Sequence, residues 1–159
     1  MTLPESVLRA IREECLRCHP AEACGLLIAD AQGAPQFVAI QNIAGTQEGR
    51  RTSSRSGRDG YVMDPKAMMR ALNDAEDSGG RLAAIVHSHP EVGAYFSKED
   101  RDMALGGGDE PLWPGVEYLV VSVRTLEGKS SVDDARLYRW NQAKRDFDES
   151  QIKEITTLS

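Results

Sequence analysis

A chain of 159 residues fits one domain, long enough to bury a core without disulfides or a structural metal, so any bound metal is expected to serve chemistry. Hydrophobic residues at 40% and charged residues at 28% match soluble globular proteins, and no apolar run approaches the ~18 residues that span a bilayer. The net charge of −6 argues against a generally basic surface for nucleic acid or membrane, so neither partner class is expected.

The chain begins MTLPESVLRAIREE, with neither a basic n-region nor an apolar h-region, which predicts a cytoplasmic protein. Leu3, Val7, Leu8, Ile11, Cys15 and Cys18 recur at spacings of three and four, predicting an amphipathic helix over 4–18 with Thr2 as its cap and Pro4 in its first turn. Cys15, Cys18 and Cys24 are odd in number and closely spaced, which suits reduced thiols better than a disulfide framework. The apolar run at 24–29 reads as a buried strand and 35–43 as its hairpin partner, with a turn at Ala31-Gln-Gly-Ala34. Residues 44–60 form a polar loop. A second helix starts at Asp64-Pro65 and stops at Gly79-Gly80.

The run Leu82-Ala-Ala-Ile-Val86 is continuously apolar, as a central strand covered on both faces should be, and it delivers His87-Ser-His-Pro90 at its C-terminal end. Open sheets bind ligands at that end. A short helix over 97–105 closes at Gly106-Gly-Gly108, strands follow at 117–123 and 135–141, and the tail, 142–159, is undecided between helix and strand. Neither an internal repeat nor a linker is visible.

His87 and His89 lie two apart at a strand end, so both imidazoles point to one side and Ser88 to the other. A catalytic zinc site takes about three protein ligands and keeps one position open, and Asp100 can supply the third donor if the loop 91–96 folds it back. Each piece also has an ordinary reading. A His-x-His pair occurs as surface or satisfied core histidines, Ser97-x-x-Asp100 is a good capping box, and Glu22 is by default a solvated loop carboxylate.

Taken together, Glu22 in Ala21-Glu-Ala-Cys-Gly-Leu-Leu-Ile28, then His87-Ser-His-Pro90, then Ser97-Lys-Glu-Asp100 resembles the JAMM or MPN-plus zinc metalloproteases. These include ubiquitin-removing enzymes and small bacterial peptidases. The resemblance runs from the first helix to Val123 and includes the run Tyr118-Leu-Val-Val-Ser122; it departs at Phe96, where many members have proline. It implies an α/β fold, a mixed β-sheet flanked by helices similar to the cytidine deaminases, as a single domain over 1–159. It further implies one Zn2+ held by His87, His89 and Asp100, Glu22 as general acid and base, and Ser97 as an oxyanion partner. The implied substrate is a ubiquitin-like or sulfur-carrier protein cut after a C-terminal Gly-Gly. Arg50, Arg51, Arg55 and Arg58 either meet an acidic face of that carrier or belong to a solvated loop.

Cys15-Leu-Arg-Cys18-His19 matches the covalent haem pattern, yet such attachment belongs to exported proteins and both thiols fall on the apolar stripe. No Gly-x-Gly-x-x-Gly, P-loop lysine or Gly-x-Ser-x-Gly motif supports nucleotide binding or serine hydrolysis. A non-catalytic protein-binding module of the same fold is the alternative, and zinc content separates it from the enzyme.

Overall fold

A computed structural model describes residues 2–158. Helix α1 (Glu5–Cys18) is followed by strands β1 (Cys24–Ala29) and β2 (Pro35–Ile40), helix α2 (Pro65–Asp77), strand β3 (Arg81–Pro90) and helix α3 (Lys98–Leu105). Strands β4 (Glu117–Leu126), β5 (Lys129–Asn141) and β6 (Asp146–Gln151) complete the chain, with 3-10 turns at Gly49–Arg51 and Lys153–Thr156. The strands form one mixed sheet in the order β2-β1-β3-β4-β5-β6. Only β3 and β4 run parallel; a parallel pair needs a crossover connection, and α3 lies within it.

The alternation of side chains along β3 divides the molecule into two layers. Ala84 and Val86 face α1, where Val7, Leu8, Ile11 and Cys15 pack on Leu27, Leu119 and Val121. The opposite face carries two separate clusters. Ala71, Leu72 and Ala75 of α2 cover Leu26 and Ile28, while Ala104 of α3 joins Tyr118, Val120 and Tyr138. Ile85 touches both clusters. Among the described residues no helix is long and apolar enough to cross a membrane.

The expected elements are present, with corrections. The cap of α1 is Pro4, not Thr2: the Pro4 carbonyl accepts from the Val7 and Leu8 amides, so one backbone oxygen organises the first turn. Strand β2 ends at Ile40, and beyond it only Asn42 makes a bridge, to Met63. Strands β4 and β5 are longer than their apolar runs and meet in a hairpin at Glu127-Gly128, both at positive φ, as a two-residue hairpin turn requires. The tail is strand followed by a 3-10 turn. It pairs along β5 and inserts Ile155, fully buried, into the α1 core.

Candidate metal centre

His87 and His89 share the face of β3 that carries Ile85, and both rings are buried. Their Nε2 atoms lie 3.2 Å apart. Asp100, in the first turn of α3, places Oδ1 3.1 Å from His87 Nε2 and Oδ2 3.5 Å from His89 Nε2. A small tetrahedral ion with bonds of about 2.0–2.1 Å separates its ligand atoms by about 3.3–3.4 Å, so the spacing of the three donors fits such an ion. Among the described residues these three are the group of histidine, cysteine and acid side chains able to hold a metal.

The surroundings fix how the donors are presented. His89 Nδ1–H donates to the Gly93 carbonyl at 3.1 Å, so the neutral ring keeps its lone pair on Nε2, facing the cluster. Tyr61 stacks on His87 with ring centres 4.8 Å apart, while His87 Nδ1 is buried without a partner. Burial alone would push the Asp100 carboxyl up, but hydrogen bonds and charge from His87, then bonds from His89 and Ser97, hold it well below the usual carboxylate range. Burial would lower the pKa of His89; the bond and charge of Asp100, the charge of Glu22 and the Gly93 carbonyl outweigh it and raise it. A carboxylate facing two imidazole Nε2 atoms at these spacings is compatible with a bound metal ion.

Glu22 reaches this site through backbone anchors on both of its peptide groups. Its N–H donates to the Gly57 carbonyl at 2.6 Å, and its carbonyl accepts from Asn42 Nδ2 at 3.0 Å. Asn42 also donates to Gly60 O and accepts from the Ala44 and Val62 amides, so one side chain joins the start of β1 to both ends of the 44–60 loop. The next residue, Ala23, hydrogen-bonds Ser88 between the two histidines. Gly25 keeps β1 in place, because a Cβ there would meet the Phe37 ring and the Val38 carbonyl at 2.6 Å. The Glu22 carboxyl is buried, and among the described residues nothing hydrogen-bonds it. Burial, and the nearby negative charge of Asp100, raise its pKa against the pull of His87, His89 and Arg55.

Ser97 completes a capping box: its hydroxyl accepts from the Asp100 amide at 3.0 Å while Asp100 Oδ2 accepts from the Ser97 amide at 2.8 Å. The same hydroxyl donates to Asp100 Oδ2 at 2.7 Å. Helix cap and donor set are therefore one structure. Phe96 packs against Tyr118, Tyr138 and Phe147, seating the start of α3 on the sheet. The preceding loop is held by its carbonyls: Val92 O accepts from Ser122 Oγ at 2.7 Å, Gly93 O from His89, and Ala94 O from Tyr138 Oη at 2.7 Å.

A cleft of about 980 Å3 opens onto the cluster, with Glu22, His89, Ser97 and Asp100 in its lining. Met68 and Met69 of α2 and Met103 of α3 line it too, as does Trp113, giving apolar walls beside a polar end. Of the four arginines, Arg55 pairs with Glu99 at 2.9 Å and Arg58 lines the cleft; Arg50 and Arg51 are exposed. The cysteines stand apart from the cleft lining: burial pushes the Cys15 thiol up to about 12 and Cys18 up to about 11, which keeps both protonated near neutrality.

All five residues singled out in the sequence thus meet at one end of the sheet. Sequence reasoning missed Asn42, Tyr61 and Tyr138. Each acts through a long-range contact, and a lone Asn or Tyr in a chain carries no spacing signal for one.

The profile of prokaryotic homologues of the JAB domain matches residues 4–140. A desampylase from Haloferax volcanii is 30% identical over 120 residues, 74% of this chain and 74% of that protein. Two solution structures share the fold. One, of a Desulfitobacterium hafniense protein, has a TM-score of 0.63 at 22% identity and covers 94% of this chain and 89% of its own. The other, from Salinibacter ruber, has a TM-score of 0.59 at 23% identity and covers 96% and 90%. With the profile spanning most of its length, the chain belongs to the family of prokaryotic JAB-domain homologues.

Proposed function

We propose that this protein is a zinc-dependent peptidase or isopeptidase that hydrolyses the bond after the Gly-Gly end of a ubiquitin-like or sulfur-carrier protein. The observation that carries this reading is the meeting, in one cleft, of the His87, His89 and Asp100 donors with the buried, unbonded carboxyl of Glu22. Two imidazoles and one carboxylate suit zinc, and three protein ligands leave one position of a tetrahedral ion for water or substrate. When bound, zinc supplies a water whose pKa falls from about 15.7 towards about 7 and polarises the carbonyl under attack.

The protein's own residues then handle the proton and the orientation. Glu22 accepts the proton of the attacking water and returns it to the leaving amine. Ser97 holds Asp100 and, with its hydroxyl rotated off that carboxylate, donates to the oxyanion. His89 keeps its proton on Nδ1 through Gly93. No side chain forms a covalent intermediate.

The name of the Haloferax volcanii relative denotes removal of a ubiquitin-like modifier, which supports the substrate class. A Gly-Gly end suits the site physically, since glycine brings the substrate backbone to the catalytic groups without a Cβ. The test is incubation of zinc-loaded protein with a carrier extended past its Gly-Gly, read by intact mass. Cleavage that stops with a chelator and returns with zinc is expected. A protein that takes up no zinc and cuts no extended carrier would instead be a binding module of this fold.

A further inference from the structure

Behind the candidate site lies a second polar cluster. His19 Nε2 is 2.8 Å from Glu91 Oε1, the Thr125 hydroxyl donates to the same oxygen at 2.8 Å, and the Thr125 amide donates to Oε2 at 3.2 Å. Ser130 Oγ lies 3.0 Å from Thr125 Oγ1 and 3.3 Å from His19 Nδ1. The order serine, histidine, glutamate invites comparison with a hydrolytic triad, but His19, Glu91 and Ser130 are absent from the lining of the cleft. The cluster's chemistry is mechanical.

Glu91 is the residue to explain. It sits directly after Pro90, two residues beyond His89, with φ of 63°, a left-handed conformation that a side chain such as glutamate rarely adopts. Such a conformation persists only where the surroundings impose it. Here four hydrogen-bond contacts hold it: the Glu91 amide donates to the Val123 carbonyl at 2.8 Å, and its half-exposed carboxylate takes the three contacts above. The turn it starts carries Gly93, whose carbonyl fixes the Nδ1–H tautomer of His89. The partner on the other side, His19, lies three residues before Glu22, its side chain only 11% exposed.

We infer that Glu91, braced by His19, is a positioning residue for the metal centre: it holds the 91–93 turn so that the Gly93 carbonyl keeps His89 Nε2 free for the ion, and it ties that turn to the segment bearing Glu22. The inference rests on the proposed zinc site. It gives His19, the end of the Cys-x-x-Cys-His sequence, a role unrelated to haem.

The test measures Zn2+ affinity by competition with a chromophoric chelator, together with kcat, KM and the melting temperature of the metal-free protein. The variants are Glu91→Ala, Glu91→Gly, His19→Ala and His19→Gln. Partners that orient a metal ligand are typically worth 10- to 100-fold in affinity, so Glu91→Ala and Glu91→Gly should bind Zn2+ about tenfold or more weakly, with kcat reduced and KM little changed. Glycine adopts the turn's φ without strain, so Glu91→Gly should melt near the parent and still lose affinity, separating the carboxylate from fold stability. His19→Ala should follow in the same direction, and His19→Gln, which keeps a donor towards Glu91, should recover part of the affinity. If Glu91→Gly and His19→Ala both hold Zn2+ within twofold of the parent, the inference is overturned while the zinc site stands. A parent that holds no Zn2+ overturns both.

Discussion

Ser88 and Ala23 are joined twice: the Ala23 amide donates to Ser88 Oγ at 2.8 Å, and the Ser88 amide donates to the Ala23 carbonyl at 3.0 Å. Ser88 stands between the two histidines and Ala23 follows Glu22, so this pair sets the base against the donor cluster across two strands. Replacing Ser88 with alanine leaves a buried amide without its acceptor, which costs about 1–3 kcal/mol. We expect Ser88→Ala to lose stability of that order in urea and to lose kcat at temperatures where it remains folded. Parental stability and kcat together would show the pair to be dispensable.

Asp100 is the acid between the two Nε2 atoms, and its removal should release the metal. Elemental analysis of Asp100→Ala after dialysis is expected to find little zinc. One equivalent retained tightly would remove Asp100 from the ligand set.

Among the described residues nothing hydrogen-bonds the Glu22 carboxyl, so Glu22→Gln should keep both fold and zinc while turnover collapses, because an amide cannot accept the proton. Carrier cleavage by intact mass at equal zinc content decides it. Turnover near the parental rate would place the base elsewhere.

Ser97 gives different numbers for its two roles. Loss of the helix cap costs about 1 kcal/mol, whereas loss of an oxyanion donor costs on the order of 10²–10³ in kcat. Ser97→Ala should show a modest fall in melting temperature and a large fall in kcat with KM little changed. Zinc must be assayed in the same sample, since the hydroxyl also holds Asp100 Oδ2. An unchanged kcat in zinc-replete protein would leave Ser97 as a cap alone.

The metal-free protein should lose stability as pH rises above neutrality. The pKa of His89 is raised in the fold, so its contribution is full below the unfolded value of about 6.5 and is lost as pH climbs through the folded value. Asp100 is depressed, so its contribution is present above about 4 and disappears in acid. Glu22 is raised, so its ionisation already weighs against the fold above about 4.3 and adds no protection at high pH. Zinc reverses the trend near neutrality, because it binds unprotonated imidazole. Melting at pH 6 and 8.5, with chelator and with zinc, should show opposite slopes; equal or rising stability of the chelated protein towards pH 8.5 would contradict this account.

The sequence made the donors legible because their spacing is geometry in miniature. Two histidines at period two share a face of one strand, and a serine three before an aspartate caps a helix, so both signals survive without tertiary knowledge. The parallel pairing of β3 with β4 was hidden, as was the polar half of the β4–β5 hairpin: Arg124 to Asp134 carries too few apolar residues to show a strand, yet backbone bonds to its neighbour hold it. Strand β6, with the sequence Asp-Phe-Asp-Glu-Ser-Gln, is decided by pairing along β5 and by the burial of Ile155 beyond it. Asn42 could not be read at all, since its four bonds reach peptide groups brought near only by the finished sheet.

The loop between His89 and Ser97 is shaped by three of its own carbonyls, each accepting a side-chain bond, two of them from β4 and β5 and one from the ligand His89. None of these bonds uses a side chain of the loop residues 92–94. Val92 and Tyr95 are exposed at 42% and 53% and line the cleft, and a Cβ on Gly93 would meet nothing within 4 Å. Backbone course and surface chemistry are therefore specified by different residues. Point substitution at Val92 can re-cut this wall of the cleft while the His87, His89 and Asp100 donors stay where they are.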